Sequence, residues 1–397
     1  MRSSVTREEG AAGPIRLVQF VRSFHIGGTE GQVLELLRGL PSRYDVRVGV
    51  LEADGPLMGQ LDALGHVPTA FPLNGSLMRA GTATSILRLA KWLRDWRAQV
   101  VHVHDFYSVM LAVPAARLVG CKVVVGRLDL AHWHGPARRL VYAQATRLAD
   151  HVVVNAEAIR RMLIEEEGIP ANRITVIHNG MDIARFDRRA AEGLKAPLPE
   201  LDEKLPVVVH VANMSHPVKR QEDLLEAISR LRAAGVHVQA LLVGDGPRRA
   251  SLEQLARDQN VDDRVHFLGH RQDIPALYAR ADVGVLCSAA EGLSNAVIEG
   301  MAGRVPMVVT RVGGNPDLIE DGQRGRVVSP RRPEELAQAI RWLLENPQSA
   351  RRMGRGARRF VERELSLGRL VARHDALYQR LHRPDVRTQG RPVPVTA

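Results

Sequence analysis

Hydrophobic positions in this chain cluster into short, β-branched runs, separated by longer stretches whose apolar residues recur with helical spacing. In the first half the runs are Ile15–Val21, Tyr44–Leu51, Val100–His104, Lys122–Gly126, His151–Asn155 and Ile174–His178. In the second half they are Pro206–Val211, Val238–Val243, Val265–Leu268, Val283–Cys287, Met307–Thr310 and Gly325–Val328. Helical periodicity fills the gaps, as over Gly31–Leu40 and Thr84–Arg97. Such alternation predicts parallel sheets with helices on both faces. The runs are continuously apolar, as strands buried on both faces require. Residues 188–205 are charged, contain prolines and hold no sustained period, so they read as a linker. The expected fold class is α/β: two doubly wound, Rossmann-like domains facing across a cleft. The expected divisions are a flexible N-terminus (1–14), a first domain (15–187), the linker (188–205), a second domain (206–365), a helix (366–381) crossing back to the first domain, and a disordered tail (382–397).

Composition narrows the function. At 397 residues the chain has room for two domains with separate cores. Its only cysteines, Cys121 and Cys287, lie inside apolar runs without a CxxC partner, so neither a disulfide framework nor a sulfur-ligated metal is expected. The opening residues are polar and charged, unlike a secretory signal, and no run reaches the ~18–20 apolar residues of a membrane span. A cytoplasmic location is expected, including the inner face of the cell membrane. The net charge of +11 suits acidic partners such as nucleotides or an anionic membrane. Nucleic acid is not expected, because only 4% of residues are aromatic and no nucleic-acid-binding pattern occurs. Over Thr84–Arg97, Ile86, Leu89, Ala90, Trp92, Leu93 and Trp96 form one arc opposite Arg88, Lys91, Arg94 and Asp95. That helix suits either an anionic membrane surface or packing on the first sheet with a wet basic face.

In open parallel sheets ligands bind beyond the carboxyl ends of strands, and chemistry-bearing residues concentrate there. Glu291 and Glu299 straddle a strand-to-helix turn after Val283–Cys287. The turn presents free backbone N–H groups and a positive helix end to an anion. An acidic first helical turn matched to the macrodipole would also account for two isolated glutamates. Gly27 and Gly28 follow the first run and let backbone N–H groups approach a phosphate or sugar; a tight βα turn explains them equally. No GxGxxG fingerprint is present, which disfavours a nicotinamide dehydrogenase. Lys219, entering the helix after Pro206–Val211, can reach a diphosphate as a point charge or sit in solvent. Gly244 and the pair His270-Arg271 follow further strand ends, as do His104 and His178. Neither HExxH nor an Asp-x-Asp triplet occurs, so a sugar-transfer site here needs no Asp-x-Asp-bound metal. A Walker-A loop and a GxSxG elbow are also missing.

Taken in order, these motifs resemble the retaining glycosyltransferases of family 4, which have the GT-B fold. The resemblance runs from about Arg16 to Leu381. It comprises Gly27-Gly28-Thr29-Glu30, Ala149–Asn155, Val176–Asp182, Lys219, Leu242–Pro247, Val265–Gly269, the Glu291/Glu299 pair eight residues apart, and Val312-Gly313-Gly314. It implies an acceptor-side first domain and a donor-binding second domain. Glu299 would hold the nucleotide ribose and Glu291 the hydroxyls of the transferred sugar. Backbone amides of Gly292, Leu293, Ser294, Asn295 and Gly28 would cradle the donor, Lys219 would neutralise its diphosphate, and His270-Arg271 would meet the base. The family usually has a diphosphate-binding arginine where Asn213 stands, and Arg220 is the expected compensating cation. Many members place a histidine after the strand at Val123–Val125; here Arg127, Asp129 and His132 occupy that segment, and with His104 they form the expected acceptor-side set.

The expected function is retaining, metal-independent transfer of a sugar from a nucleotide-sugar to a hydroxyl acceptor, lipid-linked or otherwise, in polysaccharide or glycoconjugate synthesis. No cofactor is expected; the nucleotide-sugar is a co-substrate. Alternatives are an epimerase or phosphorylase of the same architecture, or a catalytically silent sugar-nucleotide-binding subunit, a reading that Asn213 and the Arg127/Asp129 segment motivate.

Overall fold

A computed structural model describes residues 13–73, 80–130, 135–198 and 201–382. The expected N-terminal arm and tail lie outside these residues, apart from positions 13, 14 and 382. The chain divides into two compact units. One comprises Met1–Gly126, Gln144–His151 and His374–Ala397; the other comprises Arg127–Ala143 and Val152–Arg373.

In the first unit β1 (Ile15–Val21), β2 (Tyr44–Val50), β3 (Thr69–Ala70), β4 (Val100–Val103) and β5 (Lys122–Arg127) run parallel in the order β3-β2-β1-β4-β5. Strand order reverses between β1 and β4, so their carboxyl ends form a switch point. Two-residue β3 has no apolar run to announce it. The helix after β1 spans Gly28–Gly39, starting three residues before the expected position because Gly27, extended at φ −154°, is its N-cap. In helix Ala80–Asp95, Leu89 and Leu93 are buried. Trp92 meets Phe71 edge-on at 5.4 Å, and the Arg47 guanidinium lies 4.7 Å from the Trp96 ring, so the aromatic arc is packed within the unit. No helix among the described residues is long and apolar enough to cross a membrane. The C-terminal helix, Leu367–His382, belongs to the first unit from His374 onward. There Gln19 Nε2 donates to Tyr378 Oη (3.1 Å), His102 Nδ1 lies 2.7 Å from the same hydroxyl, and Tyr44 Oη donates to Asp375 Oδ1 (2.6 Å).

The second unit contains β6 (His151–Val154) from Val152 onward, paired in parallel with β7 (Ile174–Val176). It also holds β8 (Val207–Val211), β9 (Gln239–Val243), β10 (Val265–Gly269), β11 (Val283–Leu286), β12 (Met307–Thr310) and β13 (Gly325–Val328). These six form a parallel sheet in the order β10-β9-β8-β11-β12-β13. Val207, Val209, Leu241 and Val309 face one core with Ile298 and Met301, while Val208, Leu242 and Val308 face another with Leu224, Ile228 and Ile340. Each fully buried aliphatic side chain contributes ~1.5–3 kcal/mol, which is why runs apolar on both faces were selected for these strands. The described part of 188–205 lies inside this unit, where Leu194, Leu198 and Leu201 pack on the first of these cores. The strand order reverses between β8 and β11, the second switch point.

Candidate active site

Most residues predicted as donor ligands follow the carboxyl ends of β8 and β11. After β11 the chain turns through 287–294 into helix Asn295–Ala302, with Ser294 as N-cap accepting from Val297 N at 3.4 Å. A Cβ on Gly292 would sit 2.1 Å from the Leu128 carbonyl oxygen, so only glycine permits this approach. Buried Asn179 braces the turn, donating through Nδ2 to Leu293 O (3.2 Å) and Asn295 Oδ1 (2.8 Å). After β9, Gly244 adopts φ +132°, and a Cβ there would lie 2.1 Å from Ala212 O.

After β8, the short turn Pro217–Lys219 aims Lys219 at this loop. Lys219 Nζ donates to Glu291 Oε1 at 2.7 Å, and Ser288 Oγ donates to the same oxygen at 2.6 Å. The two loops are laced together, because Ala289 N donates to Val218 O (2.7 Å) and Cys287 Sγ to Arg220 O (3.0 Å). Beneath them His210 is fully buried, with neither ring nitrogen hydrogen-bonded. Burial, then the nearby Lys219 charge, pushes His210 down to about 4.

Glu299 lies further along the same helix and is only partly exposed. Desolvation pushes its carboxyl up to about 7, opposed by the charge of Arg189. Among the described residues it has no side-chain hydrogen-bond partner, so its oxygens are available to a ligand's hydroxyls.

The remaining predicted residues divide. Arg220 does not offer a free cation: its Nε donates to Asp223 Oδ2 (3.0 Å) and Nη1 lies 3.0 Å from Glu222. Asn213 is exposed, and its carbonyl accepts from Gln221 Nε2 at 2.9 Å. His270 is exposed. Arg271 is taken up by Asp273 (2.8 and 2.6 Å) and by Ala196 O at 2.8 Å. Burial alone would raise Asp273; Arg271 and the Lys195 backbone N–H overcome it and hold the carboxyl down to about 2. Arg127 is also a brace, buried against Glu167 (2.9 and 2.7 Å), with its guanidinium 3.9 Å from the Tyr142 ring centre. Asp129 is half-buried, and His132 lies outside the described residues.

In the first unit Gly27 and Gly28 open a 12-residue helix after β1, as a phosphate-approaching turn would. His104 is buried, its Nε2 2.6 Å from Gln19 Oε1, and burial pushes it down to about 3. Asp105 caps the next helix, accepting from Ser108 N (3.0 Å) and Arg22 N (2.7 Å).

Sequence reasoning missed Ser288, Asn179 and His210 as parts of this site. The Ser-x-x-Glu spacing of Ser288 and Glu291 suggests a capping box by itself, but the helix begins later, at Asn295 with Ser294 as N-cap, and the two residues bond side chain to side chain instead.

A family model described as Glycosyltransferase Family 4 matches residues 26–185, and one described as Glycosyl transferases group 1 matches residues 205–346. The chain is 30% identical over 302 residues to the alpha-D-kanosaminyltransferase of Streptomyces kanamyceticus, covering 70% of this chain and 76% of that protein. It is 30% identical over 231 residues to the N-acetyl-alpha-D-glucosaminyl L-malate synthase of Bacillus anthracis, covering 57% of this chain and 60% of that relative. Among solved structures it is similar to Anabaena Alr3699/HepE in complex with UDP and glucose (TM-score 0.80, 21% identity, 92% of this chain and 99% of that one). It is also similar to WaaG, a glycosyltransferase involved in lipopolysaccharide biosynthesis (TM-score 0.68, 18% identity, 90% and 99%).

Proposed function

Because this chain belongs to the family 4 glycosyltransferases of group 1, we propose that it moves a sugar from a nucleotide-sugar to a hydroxyl acceptor with retention of configuration and without a metal. The observation that carries this reading is the Lys219–Glu291 contact at the β8/β11 switch point, with the unpartnered Glu299 on the same helix. Lys219 and the N–H groups opening helix Asn295–Ala302 meet the diphosphate, where negative charge grows as the leaving group departs. Glu299 accepts the ribose hydroxyls, and Glu291 those of the transferred sugar. The acceptor oxygen bonds to the anomeric carbon as the bond to the phosphate oxygen breaks, and the departing phosphate takes the acceptor's proton on the same face. Uridine diphosphate is the proposed nucleotide, since HepE was solved with UDP and with UDP-glucose. We assign the acceptor to polysaccharide or glycoconjugate synthesis.

Melting of the purified protein with UDP, GDP, ADP and their sugars tests the reading, because a ligand of the native state raises the melting temperature. A rise with UDP, α-configured product from an α-configured donor by NMR, and an unchanged rate in chelator are expected. Failure of every nucleotide to shift melting refutes the donor assignment; an inverted product refutes retention.

A further inference from the structure

We propose that Ser288 is the positioning residue for Glu291, holding its carboxylate in place when Lys219 turns to the donor's diphosphate. The inference rests on the donor reading above and deepens it. Two donors converge on Glu291 Oε1, Lys219 Nζ at 2.7 Å and Ser288 Oγ at 2.6 Å. Oε2 takes no hydrogen bond from a described residue, so Oε2 is the oxygen left to face a sugar hydroxyl.

The two donors differ in what else they can do. Lys219 carries its ammonium on a flexible stem, and its side chain is 22% exposed. An arriving diphosphate competes directly for that charge. Ser288 is fully buried, with no route to solvent or ligand. Its backbone is pinned because Thr310 Oγ1, itself buried, donates to Ser288 O at 2.6 Å. The neighbouring Ala289 N donates to Val218 O, fixing the serine relative to the lysine turn. When Lys219 shifts to phosphate, the Ser288 hydroxyl remains on Oε1. A carboxylate left without either donor would rotate away from the sugar. Ser288 therefore acts on turnover rather than on nucleotide affinity, and it acts only through Glu291.

A double-mutant cycle on the full chain tests this, with UDP affinity read by calorimetry and UDP-sugar turnover by nucleotide release. Ser288→Ala is expected to bind UDP within about twofold of wild type and to lose about 10- to 100-fold in kcat, the worth of a hydrogen bond to a charged group. In a Glu291→Ala background the same substitution is expected to cost less than about twofold. The proposal is overturned by a kcat within twofold of wild type, by a loss in UDP affinity as large as the loss in kcat, or by an equal cost in both backgrounds. Wild-type protein that neither binds nor turns over any nucleotide-sugar overturns the donor reading and this inference together; active wild type with an unaffected Ser288→Ala overturns the inference alone.

Discussion

Replacing Glu299 by glutamine should stabilise the protein at neutral pH, measured without nucleotide, while weakening nucleotide binding. In the unfolded chain this carboxyl loses its proton near the ordinary 4.5; in the fold desolvation holds the proton up to about 7. Between those values the folded protein binds more protons than the unfolded one, so stability falls as pH rises through the window. A gap of this size corresponds to about 3 kcal/mol once pH exceeds 7, and to less than about 1 kcal/mol at pH 5. Water at the partly exposed carboxylate trims the upper figure, leaving about 2 kcal/mol as the working expectation. Urea titrations of wild type and Glu299→Gln at pH 5 and pH 8 measure it, since other titrating groups cancel in the difference. The variant should be nearly equal to wild type at pH 5 and about 2 kcal/mol more stable at pH 8, yet gain less from added UDP. A difference that does not change with pH would show that the carboxylate is not strained by burial, and the argument that it waits for a ligand's hydroxyls would fail with it.

Lys219→Ala should weaken UDP binding about 10- to 100-fold by calorimetry, as removal of a charge-assisted contact does; unchanged affinity would remove Lys219 from the diphosphate. Glu291→Gln should lower kcat far more than UDP affinity, and equal small changes in both would refute its assignment to the sugar. Arg271→Ala should cost about 3 kcal/mol in denaturant titrations, because it removes the only cation bonded to buried Asp273 among the described residues while the Lys195 N–H remains, and leave UDP affinity within about twofold; the reverse outcome would return Arg271 to the base. His104 and His210 are held neutral mainly by burial, down to about 3 and about 4, so their contribution is complete above pH 6.5 and is lost as pH falls. Each should cost about 2 kcal/mol between pH 7 and pH 5. Denaturation in the Glu299→Gln background, where the opposite trend of that carboxylate is gone, reads this loss, and a flat profile there would refute it.

The strands were legible because burial on both faces leaves a mark at every residue. Ile15–Val21, Met307–Thr310 and Gly325–Val328 are strands over the residues their apolar runs predicted. Thr69–Ala70 was not legible, since two residues make no pattern. Leu194, Leu198 and Leu201 lie in a charged, non-helical stretch whose pattern gives no sign of the core they pack on. In the site, the sequence marked which residues stand at strand ends but not what each bonds to. Lys219 and Glu291 are 72 positions apart, and only the adjacency of β8 and β11 brings them together. Arg220 and Arg271 looked like ligand cations because a charge at a strand end is ambiguous by itself. Asp223 three residues on, and Asp273 two residues on, were the signals that these arginines were already committed.

That commitment bears on how the leaving group is stabilised. Where the family usually carries a second cation, Asn213 has none to give, and Arg220 is shared between Asp223 and Glu222. Diverting Arg220 to a phosphate would leave Asp223, nearly buried, without its partner, a cost that opposes the gain. Diverting Lys219 costs less, because the one carboxylate it leaves, Glu291, keeps the Ser288 hydroxyl. In the proposed transfer the rest of the charge falls to oriented backbone N–H groups at the start of helix Asn295–Ala302, which need no reorganisation when the phosphate departs. These groups are held by Gly292, Asn179 and the Ser294 cap rather than by charge. A site built this way should tolerate loss of Arg220 far better than loss of Lys219 or of the turn geometry. Placing arginine at Asn213 should raise nucleotide affinity rather than disturb the fold, because that position is exposed and buried Gln221 bonds only its backbone carbonyl, which the substitution keeps.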